Sequence, residues 1–384
     1  MNIAALTSLY PSPPRPQEGL FAERRWLGMR QRGHEVLVVH PVPHAPRLLA
    51  RGTRGEYRRM PGGENRRGVD VARPRYLHLP GRALANARRF AEAGVELIAG
   101  RRPEVVIADY AWPAAAAAPM LAEAGIPFVI CGRGSDVLAV REVPALRAAL
   151  AEHLALAGHW CAVSRHLVEA LDELGRRPGH GQLVPNGVDL QDFRIVNRLP
   201  ARDSLGLARE GALVLVVGHL IERKDPLLAL RAFARGAPPD AILAFIGRGP
   251  LEGAVRREAR ALGCEERVRL LGERVPAELR EWYAASDLVL LTSSREGRPN
   301  VVLEALACGR PVVATAAGGT GELLEGQDGM LVDSRDPEAL GARIAALLAD
   351  PPPATELREA VTGLSWEAGL ERLEACLQGA LART

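Results

Sequence analysis

Two glutamates and one lysine carry the plainest chemistry in this sequence. Glu296 and Glu304 lie in the stretch 293–309, SSREGRPNVVLEALACG, which follows the apolar run from Leu288 to Leu291 and opens a predicted helix from about Asn300 to Ala307. A strand that ends in a polar Gly/Pro turn and restarts as a helix presents unpaired N–H groups and the positive end of a helix dipole, which is where phosphate binds. Glu304, eight positions after Glu296, lies about two turns along, so both carboxylates can address one ligand held at the helix start. The alternative on this segment alone is a helix-start charge and a solvated helix face. The lysine is singled out by composition: of 49 basic residues, Lys224 is the only one that is not arginine. It stands in HLIERKDP, between a predicted strand and helix, where a compact ammonium can sit against a phosphate; a chance codon is the competing explanation.

The elements needed to position these groups can be read in chain order. At 384 residues the chain is long enough for two well-packed domains, and 47% hydrophobic with 25% charged residues is ordinary for an α/β protein. No run approaches the ~18 apolar residues of a membrane span. The start, MNIAALTSLYPSPP, has no basic leader and reads as a first strand, not as a signal peptide. Strands are expected at 2–9, 35–40, 104–110, 126–131 and 159–164, with helices between them, and residues 41–82 are expected to be an irregular excursion. The turn PNGVD (185–189) falls at mid-chain, where a linker is needed. A second series follows: strands at 212–218, 241–247, 267–272 and 311–315, and an amphipathic helix over 364–381. Alternation of strand and helix predicts parallel, doubly wound sheets. The Pro-rich loop 10–20 ends at Gly19, which either brings backbone close to a ligand at the sheet edge or simply makes a turn.

The five cysteines are scattered without ligand spacing, which argues for reduced thiols, a cytoplasmic address and no metal cluster. Net charge is only +3, yet residues 47–102 hold fourteen arginines against five acids, a local balance of +9. Without interleaved aromatics or a nucleic-acid motif, this points to an anionic membrane surface or acceptor and away from nucleic acid; a solvated Arg-rich loop is the alternative.

With its neighbours, GRPNVVLEALACGRPVVAT, the paired-glutamate stretch resembles the signature of the family 4 glycosyltransferases. The resemblance implies an α/β GT-B fold: two doubly wound Rossmann-like domains facing a central cleft, an acceptor domain at 1–190 and a nucleotide-sugar domain at 191–365, with a C-terminal helix (366–384) crossing back to the first. It implies a retaining transferase in which Glu296 contacts the donor sugar, Glu304 the ribose and Lys224 the diphosphate. Gly19 and Gly218 fall at glycine turns near the phosphates, and Gly297, Arg298, Pro299, Asn300 and Val301 form the helix start that receives the donor. Arg274 and Val275 would meet the nucleobase. The family writes Arg after the glycine where this chain has His219, which leaves the second phosphate contact between His219 and Arg223. In GRGSDVL, on the acceptor side, Arg133 replaces the usual histidine. A guanidinium cannot act as a base, but it can bind a phosphate or a hydroxyl; Asp136 is either its titratable partner or a cap for the following helix.

No Asp-x-Asp motif occurs, so neither metal nor other cofactor is expected; the resemblance implies a front-face route in which the departing phosphate itself takes the acceptor proton while Glu296 orients the sugar. The implied partners are a nucleotide-sugar donor, a glycan or lipid-linked acceptor and the inner face of a membrane, in cell-surface polysaccharide or glycolipid synthesis. A nucleotide-sugar epimerase and a non-catalytic nucleotide-sugar binder are the alternatives. An NAD-dependent oxidoreductase is disfavoured, because no full G-x-G-x-x-G follows the first strand.

Overall fold

The computed structural model describes residues 1–44, 56–57 and 60–382. The chain divides into two compact units, one formed by Met1–Asn186 with Glu367–Thr384 and the other by Gly187–Trp366. Among the described residues no helix is long and apolar enough to cross a membrane.

In the first unit, β1 (Asn2–Leu6), β2 (Glu35–Val39), β7 (Val105–Asp109), β8 (Phe128–Gly132), β9 (His159–Ala162) and β10 (Gln182–Leu183) run parallel in the order β10-β9-β8-β7-β1-β2. Ile3, Ala5, Val106, Ile107, Val129 and Ile130 are wholly buried, as the near-continuous apolar runs of a parallel sheet covered on both faces require. The expected irregular excursion contains strands: β3 (Val42–His44), β4 (Gly63–Arg66), β5 (Val69–Ala72) and β6 (Arg75–Leu77). The β5 strand extends the main sheet beside β2, β4 closes it antiparallel, and β3 pairs with β6. These strands escape the hydrophobic pattern because three or four residues make too short a period, and β4 is polar throughout. The cue was the turn: Arg67 and Gly68 adopt φ of 55° and 87°, the left-handed pair of a two-residue hairpin. Part of the basic stretch, residues 47–55 and 58–59, lies outside the described residues.

The last helix, Trp366–Leu381, belongs to this unit. Its residues Leu370, Leu373, Leu377 and Ala380 recur at helical spacing and pack with Trp26, Met29 and Val129. At its polar margin Arg32 Nη2 meets Glu374 at 2.7 Å.

The second unit is a six-stranded parallel sheet of β11 (Leu213–Val217), β12 (Ile242–Ile246), β13 (Val268–Leu270), β14 (Leu288–Leu291), β15 (Val312–Thr315) and β16 (Leu331–Val332), in the order β13-β12-β11-β14-β15-β16. Numbered within the unit this is 3-2-1-4-5-6, the doubly wound arrangement whose ligand crevice opens beyond the carboxyl ends of the two strands where the winding reverses. Those strands are β11 and β14, paired Val214 to Leu288 and Leu215 to Val289. Phe233, Phe245, Val289 and Leu303 are fully buried around them, and each contributes roughly 1.5–3 kcal/mol by leaving water.

Candidate functional site

The loops leaving β11 and β14 bring together groups 72 positions apart in sequence. After β11, Gly218 adopts φ 150° and carries the chain past His219, which is exposed, into the single turn Glu222–Lys224. Asp225 then caps the helix Pro226–Gly236 by accepting from the Leu228 N–H. After β14, Thr292 Oγ1 donates to the carbonyls of Lys224 and Asp225 at 3.1 and 2.9 Å, and the Ser294 N–H donates to the Arg223 carbonyl at 2.8 Å. The two loops are thereby stitched, and their charges meet. Lys224 Nζ donates to Glu296 Oε1 at 2.5 Å, and Arg223 Nη1 lies 3.6 Å from Glu296 Oε2. Glu296 is only 8% exposed. A carboxylate so far out of water needs these cations, and they in turn hold the ammonium in one place.

Backbone packing fixes the glutamate as well. Gly318, at φ 53°, passes so close that a Cβ there would stand 2.0 Å from the Glu296 carbonyl oxygen, which only glycine permits. The Gly319 N–H donates to the same carbonyl. Beyond it, Gly297 and Pro299 are buried, while Arg298, Asn300 and Val301 are half-buried at the start of the helix Asn300–Ala307, which has no side-chain cap.

Glu304 sits just over one turn along that helix and accepts from Tyr283 Oη at 2.8 Å. Burial first, then the adjacent Glu304 charge, hold the Tyr283 hydroxyl well above its ordinary pKa, so it remains a donor. Arg274 and Val275 follow β13 at the edge of the sheet, Arg274 half-buried and Val275 47% exposed, where they precede the helix Pro276–Ala285.

The first unit corrects two expectations. Arg133 does not pair with Asp136. Its Nε and Nη2 make a two-pronged contact with Asp109, at 2.7 and 2.8 Å, and its Nη1 donates to Asn186 Oδ1 at 2.9 Å. Trp26 Nε1 adds a third donor to Asp109 at 3.0 Å. Burial alone would raise the Asp109 pKa, but the Arg133 and Arg25 charges with these hydrogen bonds prevail and lower it. Arg133 is thus held inside a buried ion pair, with both its edges committed to protein groups. Asp136 instead ties its own loop to the one after β7, accepting from the N–H groups of Ala111, Arg133 and Gly134 at 2.6 to 3.1 Å. Burial outweighs those bonds and pushes its pKa up to about 6. Gly19 has a local reason of its own: at φ 77° it caps the helix Leu20–Gln31, and a Cβ would come within 2.9 Å of the backbone of Leu9 and Tyr10.

Sequence reasoning missed Asp109, Asn186, Tyr283 and Thr292. Asp109 had left a signal, a lone carboxylate ending the apolar strand EVVIADY; the other three are found only when distant elements pack.

A GT-B glycosyltransferase is the class that two doubly wound units and this switch-point site define, and the comparisons with known proteins agree. A sequence model described as Glycosyl transferases group 1 matches residues 211–350, and one described as Glycosyltransferase Family 4 matches residues 27–192. The chain belongs to the family 4 glycosyltransferases. It is 28% identical over 354 residues to a Bacillus subtilis protein named for teichuronic acid biosynthesis, the glycosyltransferase TuaC, covering 90% of this chain and 88% of that one. It is 34% identical over 223 residues to D-inositol 3-phosphate glycosyltransferase 1 of Catenulispora acidiphila; that match covers 54% of this chain and 53% of the relative, about half of each. Among solved structures, sucrose-phosphate synthase from Thermosynechococcus elongatus superposes with a TM-score of 0.83 at 20% identity, covering 100% of both chains. Anabaena HepE in complex with UDP and glucose does so at 0.77 and 19%, covering 99% of this chain and 100% of that one. Both show the same fold.

Proposed function

We propose that this glycosyltransferase moves a sugar from a nucleotide-sugar donor with retention of anomeric configuration and without a metal ion. The observation that carries the reading is the Lys224–Glu296 contact of 2.5 Å across the β11/β14 switch point. Lys224, Arg223 and the uncapped helix start at Asn300 offer positive potential to the two phosphates. As the bond from the anomeric carbon to the phosphate oxygen breaks, that oxygen gains charge, which the ammonium neutralises, and it takes the proton of the acceptor hydroxyl that attacks from the same face. Glu296 does not fit the part of a covalent nucleophile, because its two oxygens face Lys224 and Arg223. It fits a group that orients the sugar while positive charge develops at the anomeric carbon. Solved neighbours in complex with UDP-glucose or ADP keep several bases open, and thermal shifts with UDP-, GDP- and ADP-sugars identify the accepted donor.

Glu296→Gln keeps the shape and removes the charge. Its kcat is expected to fall roughly a hundredfold with a smaller change in KM, the pattern of an interaction that strengthens in the transition state. An unchanged kcat would reduce Glu296 to a helix-start charge. At the other end of the helix, Glu304 accepts from ribose in ground and transition state alike, with Tyr283 setting its position. Both Glu304→Gln and Tyr283→Phe are therefore expected to raise the donor KM about tenfold and leave kcat near its starting value; steady-state kinetics that show kcat falling in step would contradict the ribose assignment.

The acceptor side is proposed to work at an anionic membrane surface, in cell-surface polysaccharide or glycolipid synthesis, which the name of the TuaC relative supports. Leu77, Leu79 and Leu84, 43%, 36% and 45% exposed, stand near the exposed Arg75, Arg82 and Arg88, the mixture of apolar and basic groups that an anionic interface attracts. Sedimentation with vesicles should show tighter binding to anionic than to neutral lipid, weakening as salt rises. Equal partitioning at every salt concentration would favour a solvated loop.

A further inference from the structure

The second unit also holds a cavity of about 560 Å³ at the opposite strand ends, lined by residues that immediately precede β11 (Gly211 and Ala212), β14 (Asp287) and β15 (Arg310 and Pro311). That volume is in the range of small-molecule sites. Strands of four or five residues separate it from Lys224 and Glu296 by roughly 15 Å, so its occupant is not the donor.

The electrostatics of this cavity are unbalanced. Arg198 and Arg202 share the carboxylate of Asp287: Arg198 Nη1 takes Oδ1, Arg202 Nη2 takes Oδ2 at 2.5 Å, and the Leu213 N–H also donates to Oδ2, at 2.8 Å. The third guanidinium, on Arg310, has only carbonyl partners, Ala284 at 2.8 Å and Val196 at 3.4 Å, and its buried Nε has none. Among the described residues no carboxylate pairs with Arg310. Burial lowers the Arg310 pKa although the Asp287 charge raises it, as for a cation whose desolvation is only partly offset. Two further features favour an anion. The helix Ala354–Thr362 begins at the cavity with no side-chain cap, and the apolar wall of Leu347, Leu348 and Pro351 can hold the body of an organic phosphate.

We propose that this cavity is a second anion site, which takes a small phosphate-bearing ligand against Arg310 and Arg198 and acts as an effector or counter-ion site separate from the transfer reaction. Calorimetry with inorganic pyrophosphate at low salt tests it in the Lys224→Ala protein, whose donor site is weakened. One class of pyrophosphate site is expected to persist there and to lose at least about tenfold in affinity on adding Arg310→Gln, one charge-assisted contact being removed. Arg198→Gln, at a side chain 41% exposed, should do the same and is available if the Arg310 variant does not fold. Phenyl phosphate binding more tightly than orthophosphate would identify an organic phosphate as the occupant, and the reverse order the free ion. Absence of pyrophosphate binding in Lys224→Ala, or affinity indifferent to both arginine substitutions, overturns the proposal.

Discussion

Replacing Lys224 with alanine is expected to lower kcat by two to three orders of magnitude, the range for removing one preorganised group that meets charge developing in the transition state. The expectation rests on placement. Lys224 follows β11, Glu296 follows β14, and the 2.5 Å contact between them spans the strand pair where a doubly wound sheet opens its ligand crevice. The loss should appear in kcat and in kcat/KM together, because the ammonium matters most when the diphosphate leaves. Lys224→Arg should restore little: a planar fork on a different stem cannot put one point charge where the ammonium stood. Truncation also leaves Glu296 with Arg223 as its remaining cation at 3.6 Å, so an unfolding midpoint measured beside the kinetics separates lost chemistry from lost fold. Near-normal turnover of a folded Lys224→Ala protein would remove the lysine from the reaction.

The second large effect is on stability. Asp109 is 1% exposed and accepts from Arg133 and Trp26, with Arg25 Nη1 at 3.9 Å. Asp109→Ala strands two buried guanidinium groups without their carboxylate and is expected to cost about 3–5 kcal/mol, the penalty for halving a buried pair. The pH dependence has a definite sign. Because the native pKa of Asp109 is lowered, its contribution is present above the unfolded carboxylate value of about 3.9 and is lost as pH falls through the native value. Asp136 acts in the other direction. With its native pKa raised to about 6, its contribution is full below the unfolded value and is lost as pH rises towards 6. Denaturant unfolding of the wild type and of Asp109→Ala between pH 3 and pH 7 checks both. A stability gap between the two proteins that stays constant down to pH 3, or that widens on acidification, would contradict the Asp109 assignment.

Much of this was legible in the sequence, for physical reasons that differ by element. Apolar runs such as LVLVV and ILAFI declare buried parallel strands, since only a sheet covered on both faces tolerates them. The Lys224–Glu296 pair was legible because its cues are local: a solitary lysine in one strand-to-helix loop and a glutamate in another. Arg133 was not. Its partner lies 24 residues earlier, on a neighbouring strand, and the nearby Asp136 drew attention because sequence distance is a poor guide to what a parallel sheet brings side by side. The Tyr283–Glu304 bond was hidden for the same reason, as a side chain on one helix meets the next only through tertiary packing.

The central claim, transfer with retention at a site that needs no metal, is tested most directly by the stereochemistry of the first product formed in the presence of a chelator. With an accepted α-linked nucleotide sugar and excess EDTA, proton NMR of the new linkage should show the small anomeric coupling of an α product, at a rate unchanged by the chelator. A β product, or turnover abolished by EDTA and restored by a divalent ion, would contradict it.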